Sequence, residues 1–247
     1  MPDFIPVGAP MSRAIAAEPD FTAVARRVLT AIDVVHGDGQ LPVISAGFSS
    51  SLTVRYAEAN YYYDSLLDTA LEIRVSDDAE TPELSFLHEI GHFLDHKGLA
   101  FEFFLARPEM PTAIEIGTII SQAVFASETN PALSTWRKAV MASESVGRLQ
   151  RVMQYRSAVV TSLDGAKVPV DIDRAYVSYL LELRELFARS YAQYIVINSQ
   201  DNIMQRQLDN LREEPLARLY PLYWDDEDFL AIAEAIDGVF LSRGWIA

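Results

Sequence analysis

The chain has no cysteine among its 247 residues. That excludes a disulfide framework and any thiolate site, so a metal here must take imidazole and carboxylate ligands. Basic residues are scarce too: 20 Lys and Arg stand against 35 Asp and Glu, a formal charge of -15. Phosphate backbones are bound by clustered cations that release counterions, so no nucleic-acid partner is expected, and any partner that charge steers in is basic. Long apolar runs are missing. The most apolar stretch, 113–126, is interrupted by Glu115 and Gln122 and falls short of the roughly 20 residues that cross a bilayer. No membrane segment is expected. The start, Met1-Pro-Asp-Phe-Ile-Pro6, lacks a basic segment ahead of an apolar one. A cytoplasmic protein, or one delivered without a classical signal peptide, is the expectation.

Half of the residues are hydrophobic, enough for the core of one domain spanning 1–247. Residues 1–20 read as an irregular lead-in. A helix is predicted over 21–35, where Val24, Val28, Leu29 and Ile32 fall at helical spacing before the breakers of His36-Gly-Asp-Gly39. Strand-like runs follow at 41–45, 51–56 and 69–75; in the last, Leu71, Ile73 and Val75 alternate with Glu72 and Arg74. Thr81-Pro82 then offers an N-cap with proline at the first helical position, and Gly98 a terminator. The stretch 101–170 reads as mostly helical cover without chemistry of its own. One long helix is expected over 173–198, capped by Asp171 or Asp173, and a last one over 227–242. The expected class is α+β: a small mixed or antiparallel sheet on a helix carrying metal ligands, followed by a mainly helical C-terminal part over 99–247.

Only four histidines occur, and three fall within nine residues, in His88-Glu-Ile-Gly-His-Phe-Leu-Asp-His96. On a helix, His88 and His92 lie about 40° apart around the axis and roughly 6 Å apart along it, so both rings reach one ion. Glu89 is too far round to be the natural third ligand, but well placed to take a proton from a water beside that ion. His88, His92 and Asp95 share one face; Phe86, Leu87, Ile90, Phe93 and Leu94 make the opposite, apolar one. Gly91 costs on the order of 1 kcal/mol inside a helix, which makes sense where something approaches that flank closely. The strand over 71–75 is placed to border a cleft above this helix and to pair with an extended chain. The plain alternative is a solvated amphipathic helix with two accidental histidines.

For the third ligand the residues leave several choices. His96 is four positions beyond His92, but on an unbroken helix it lies roughly 12 Å along the axis from His88, beyond the reach of one ion. On the later helix Glu182 and Glu185 compete. Ala188 and Ala192 flank Glu185 and let the two helices approach, whereas Glu182 can simply pair with Arg184 or Arg189.

The segment His88-Glu-Ile-Gly-His-Phe-Leu-Asp95, followed by Glu185-Leu-Phe-Ala-Arg189, resembles zincin metallopeptidases of the gluzincin type. It looks like the zincins related to the anthrax lethal factor catalytic domain, and is closer still in wording to metallopeptidase domains of phage and other mobile-element proteins. The resemblance covers about a tenth of the chain. It implies a zincin-like fold, a zinc ion on His88, His92 and Glu185, and peptide-bond hydrolysis with Glu89 as general base on a peptide or protein substrate. It also implies a Tyr or His near the third ligand that stabilises an oxyanion. Tyr179, ahead of Tyr176, is the candidate, although on a continuous helix neither shares the face of Glu185. Asp95 matches the family's Asp three residues past the second His and would orient a ligand or hold a backbone group. His36 reads as structural, and Tyr61, Tyr62 and Tyr63 as packing residues or as part of a pocket wall. Against the peptidase reading stands a zincin-fold binding or structural module without turnover, from a phage or mobile-element system; a delivered toxin peptidase is a third possibility.

Overall fold

The computed structural model describes residues 8–52, 58–64, 67, 69–99, 121, 123, 131–162 and 164–247. Its class is α+β, with eight α-helices and two small sheets among the described residues. The first sheet joins β1 (Ile15–Ala17), β2 (Ile44–Ser49), β3 (Ala59–Asp64) and β4 (Thr69–Ser76) in the order β1-β2-β4-β3. β1, β2 and β4 run parallel and β3 runs antiparallel to β4, so the sheet is mixed.

Several sequence expectations change here. The lead-in is not irregular throughout: Met11–Arg13 form a 3₁₀ turn, and β1 pairs Ile15 with Ile44. A three-residue strand is too short to show alternation, so only its partner reveals it. The run 41–45 moves on to Ile44–Ser49. Within the run 51–56, Ser51 and Leu52 are not in a strand, and 53–56 lie outside the described residues. Beyond that run, β3 was not anticipated, because Ala59-Asn-Tyr-Tyr-Tyr-Asp64 alternates poorly, and its register slips between Tyr62 and Tyr63. In β4 only Ile73 and Val75 turn inward, whereas Leu71 is half exposed. β4 is also interior to the sheet, so among the described residues β3 and not β4 is the free edge on this side.

α1 (Thr22–Val35) and α2 (Pro82–Phe93) meet where Phe21, just before α1, packs edge-on against Phe86, with ring centroids 4.9 Å apart, and Phe21 likewise meets Phe48 of β2 at 4.9 Å. α2 continues as a π-helical turn, Leu94–Gly98, which ends where Gly98 was expected to end the helix. Most of 101–130, with its prolines at 108 and 111, lies outside the described residues. Beyond it come α3 (Pro131–Ala142) and α4 (Glu144–Val152), the latter capped by Ser143. The helical expectation fails after that. β5 (Ser157–Thr161) and β6 (Lys167–Asp171) form a hairpin whose turn carries Gly165 at a φ of +84°, a conformation open to glycine and strained for other residues.

The single long helix over 173–198 is two helices: α5 (Arg174–Leu180), capped by Asp173, and α6 (Leu183–Ser199), with extended backbone at Glu182 between them. α7 (Asn202–Glu213), capped by Asp201, was not anticipated, and α8 (Asp226–Arg243) matches expectation within a residue at each end. No helix among the described residues is long and apolar enough to cross a membrane.

The apolar interior falls into two clusters. The larger gathers α1, the sheet, α2, α3, α6 and α8, with Trp136, Phe187, Tyr191 and Phe240 at its centre. The smaller lies under the hairpin and gathers Leu149, Val152, Val177, Leu180, Leu219 and Tyr220.

Candidate metal centre

α2 begins with proline at N1 as the sequence suggests, but Thr81 does not cap it through its own side chain. Glu58 does this from outside: its carboxylate accepts from the backbone N–H of Thr81 at 3.3 Å, from Thr81 Oγ1 at 3.1 Å and from Ser85 Oγ at 3.0 Å. An anion at a helix N-terminus meets the positive end of the dipole. The start of the His-bearing helix is thereby tied to the residue that precedes β3.

α2 lies against α6 at Gly91. A Cβ on Gly91 would stand 2.8 Å from the Cα of Ala188 and 3.2 Å from its Cβ. The helix-weakening glycine and the facing alanine therefore have one cause, a backbone approach that larger side chains would prevent. The break before α6 has its own support. It leaves carbonyls at the end of α5 without intrahelical donors, and the buried Arg189 guanidinium donates to that of Leu180. Arg189 also donates to the carbonyl of Leu222 at 2.9 Å and, through Nε, to that of Glu185 at 3.2 Å.

These two devices bring three donors together. His88 Nε2 and His92 Nε2 are 3.1 Å apart, Glu185 Oε2 is 3.3 Å from His88 Nε2, and Glu185 Oε1 is 3.5 Å from His92 Nε2. A tetrahedral ion with bonds of about 2.0 to 2.1 Å holds its ligands about 3.3 Å apart, so the donor set fits a zinc-sized ion. The group of His88, His92 and Glu185 can hold a metal ion. Charge agrees. Burial opposes ionisation of Glu185, yet the two facing imidazoles outweigh it and hold the carboxyl well below its usual range. Burial likewise opposes the charged form of His92, and the Glu185 carboxylate outweighs it, pushing the imidazole up to about 9. A buried carboxylate between two imidazoles is a place that favours a cation.

Glu89 is buried beside this group and lines the cavities on both sides of it. Burial pushes its carboxyl up, the histidines oppose that, and the backbone amide of Tyr61 in β3 is hydrogen-bonded to it. Because the helix breaks at Glu182, Tyr179 reaches Glu185, a placement a continuous helix would forbid. Its hydroxyl is hydrogen-bonded to that carboxylate, and burial followed by the Glu185 charge raises its pKa. Tyr176 lines the first cavity but stacks on Tyr179 and meets Tyr220 edge-on.

The other candidates separate cleanly. His96 is buried, its Nδ1 2.7 Å from the Tyr61 hydroxyl, and it is not one of the converging donors. Glu182 pairs with Arg184 at 2.6 Å. Asp95 accepts from Ser121 Oγ at 2.5 Å and from the backbone N–H of Ala123 at 2.7 Å, and so holds a backbone group. His36 is fully buried between the Gly37 carbonyl and the Tyr191 hydroxyl, a structural role. Of the tyrosine run, Tyr61 is buried, and all three residues wall the cavity on the His92 side. Glu58, Arg189 and Tyr223, which lines the cavity beside His88, went unnoticed in this role. Of these only Arg189 carried a signal, as the charged residue ending the second motif.

Comparison with protein-family models, with curated proteins and with solved structures found no match.

Proposed function

We propose that the chain is a zinc-dependent endopeptidase of zincin-like fold, with His88, His92 and Glu185 as the ligand set. The observation that carries this reading is the convergence of those three donors, at tetrahedral spacing, next to a buried carboxylate that is not one of them. When bound, zinc supplies Lewis acidity, polarising a carbonyl oxygen and acidifying water. Glu89 then takes the proton of the attacking water and delivers it to the leaving amine; the raised pKa of a buried carboxyl suits a group that must hold a proton between those two events. Tyr179, whose one hydroxyl proton is given to Glu185 in the structure, swings it from that carboxylate to the oxyanion that develops on the substrate carbonyl. The substrate lies extended along the free edge of β3, which passes both cavities, with main-chain hydrogen bonds as in strand addition. An antiparallel substrate places residues after the scissile bond near Ala59 and residues before it near Tyr63. The chain's negative charge favours a basic peptide or protein.

Glu89→Gln keeps the shape of the site and removes the base. Zinc stoichiometry is expected to stay the same while hydrolysis of a peptide library falls by roughly 10²- to 10⁴-fold. Equal activity in both proteins sinks the mechanism. A zinc-loaded wild type that cleaves nothing in a broad library favours the binding module without turnover.

A further inference from the structure

A third cavity, of about 480 Å³, shares Leu211, Leu222 and Tyr223 as walls with the cavity beside His88. Three arginines from separate elements line it: Arg148 of α4, Arg212 in the last turn of α7, and Arg218 at the end of the 3₁₀ turn Pro215–Arg218. Asp225 is the sole acid in the lining. Three cations to one anion reverses the balance of the whole chain, which has 35 acidic and 20 basic residues.

The hydrogen bonding is incomplete there. Arg212 is anchored by the Trp224 carbonyl and pairs with the carboxylates of Asp226 at 3.0 Å and Asp209 at 3.8 Å, and its buried Nε–H has no acceptor. Among the described residues the guanidinium groups of Arg148 and Arg218 enter no hydrogen bond or ion pair, and the Asp225 carboxylate pairs with none of the three. The donors of Arg148 and Arg218 are therefore left for an anion in this cavity, whereas the Arg212 Nε–H is sealed from it.

We propose that this cavity binds a phosphate group, free or as a phosphomonoester. A carboxylate offers two oxygens and saturates one guanidinium fork; the oxygens of phosphate serve several forks at once, and its double charge offsets more of the converging positive charge. Of the arginines, Arg212 is the anchored one and defines the floor. Arg148 and Arg218 are uncommitted and close on the anion. The site is independent of the peptidase reading, since none of its arginines lies in the metal centre.

Calorimetric titration of the full chain at constant ionic strength, with inorganic phosphate, glycerol phosphate and acetate, tests this. Arg148→Gln and Arg218→Gln are suitable variants, because neither side chain holds the fold together. Saturable binding of phosphate is expected, with acetate at least about tenfold weaker and each arginine variant weakened about tenfold. His88→Ala, which disables the metal centre, is expected to bind phosphate as the wild type does. Binding of inorganic phosphate alone identifies the free ion, and equal binding of glycerol phosphate identifies the ester; both support the site. The proposal is overturned if no saturation occurs up to about 10 mM. Binding that survives both arginine changes, that disappears in His88→Ala, or that acetate matches also overturns it.

Discussion

The two hydrophobic clusters contribute unlike things to the metal centre. The larger cluster holds α2 and α6, and with them every metal-type donor. The smaller one, under the hairpin, holds α5 and contributes Tyr179, which packs against its margin together with Tyr176. Leu181 and Leu222 touch both clusters, and Arg189 ties the end of α5 and the Leu222 segment to α6. The difference is instructive. Ligand positions need sub-ångström constancy and sit on two helices locked backbone to backbone at Gly91 and Ala188, whereas the auxiliary hydroxyl comes from a satellite reached across a helix break.

The comparison can be broken first at the ligands. Glu185→Ala removes the donor that α6 supplies and is expected to lower zinc affinity by more than the roughly hundredfold associated with outer-shell changes, as read by competition with a chelator; retained affinity would remove α6 from the centre. Next comes the seam itself. Gly91→Val forces α2 and α6 apart at a point where a Cβ already meets backbone, so a loss of about 3 kcal/mol in urea unfolding is expected, together with weaker zinc binding.

The larger cluster should also be the acid-sensitive one. Full burial lowers the His36 pKa from 6.5 to about 4. Above pH 6.5 the ring is neutral folded or unfolded and costs nothing. As pH falls from 6.5 to 4 the unfolded chain takes up a proton that the native protein refuses, so stability declines, by about 3 kcal/mol in total. His36→Asn should flatten this part of the stability profile relative to wild type, measured by unfolding at pH 7 and pH 4.5. The smallest effect tests the satellite. Tyr179→Phe is expected to lower kcat by roughly tenfold to a hundredfold with zinc stoichiometry unchanged; an unchanged kcat would make the hydroxyl a mere packing group.

Much of the centre was legible because α-helical spacing is local. His88, Glu89 and His92 lie within five residues, and a 3.6-residue period assigns their directions without knowing the fold. Gly91, Ala188 and Ala192 were legible for a related reason: small residues at helical intervals mark a contact face. β1 and β3 were not, since a strand's existence depends on a partner distant in sequence, and an aromatic run without alternation does not announce an edge. The hairpin at Ser157–Asp171 was read as helix because its residues show no period strong enough to decide.

What the amino-acid sequence determined by itself is the ligand chemistry: no thiolates, three of the four histidines within nine residues, and a carboxylate beside them. The resemblance pointed to Glu185 and Tyr179, but only tertiary structure brings that carboxylate to the histidines and that tyrosine to the carboxylate. Nothing in Ser178-Tyr-Leu-Leu-Glu182 stops a helix. Arg189, seven residues beyond Glu182, satisfies the Leu180 carbonyl that the break frees. With that bond made, α5 turns aside, Tyr179 reaches Glu185, and residues that helical projection sets on different faces meet at one site.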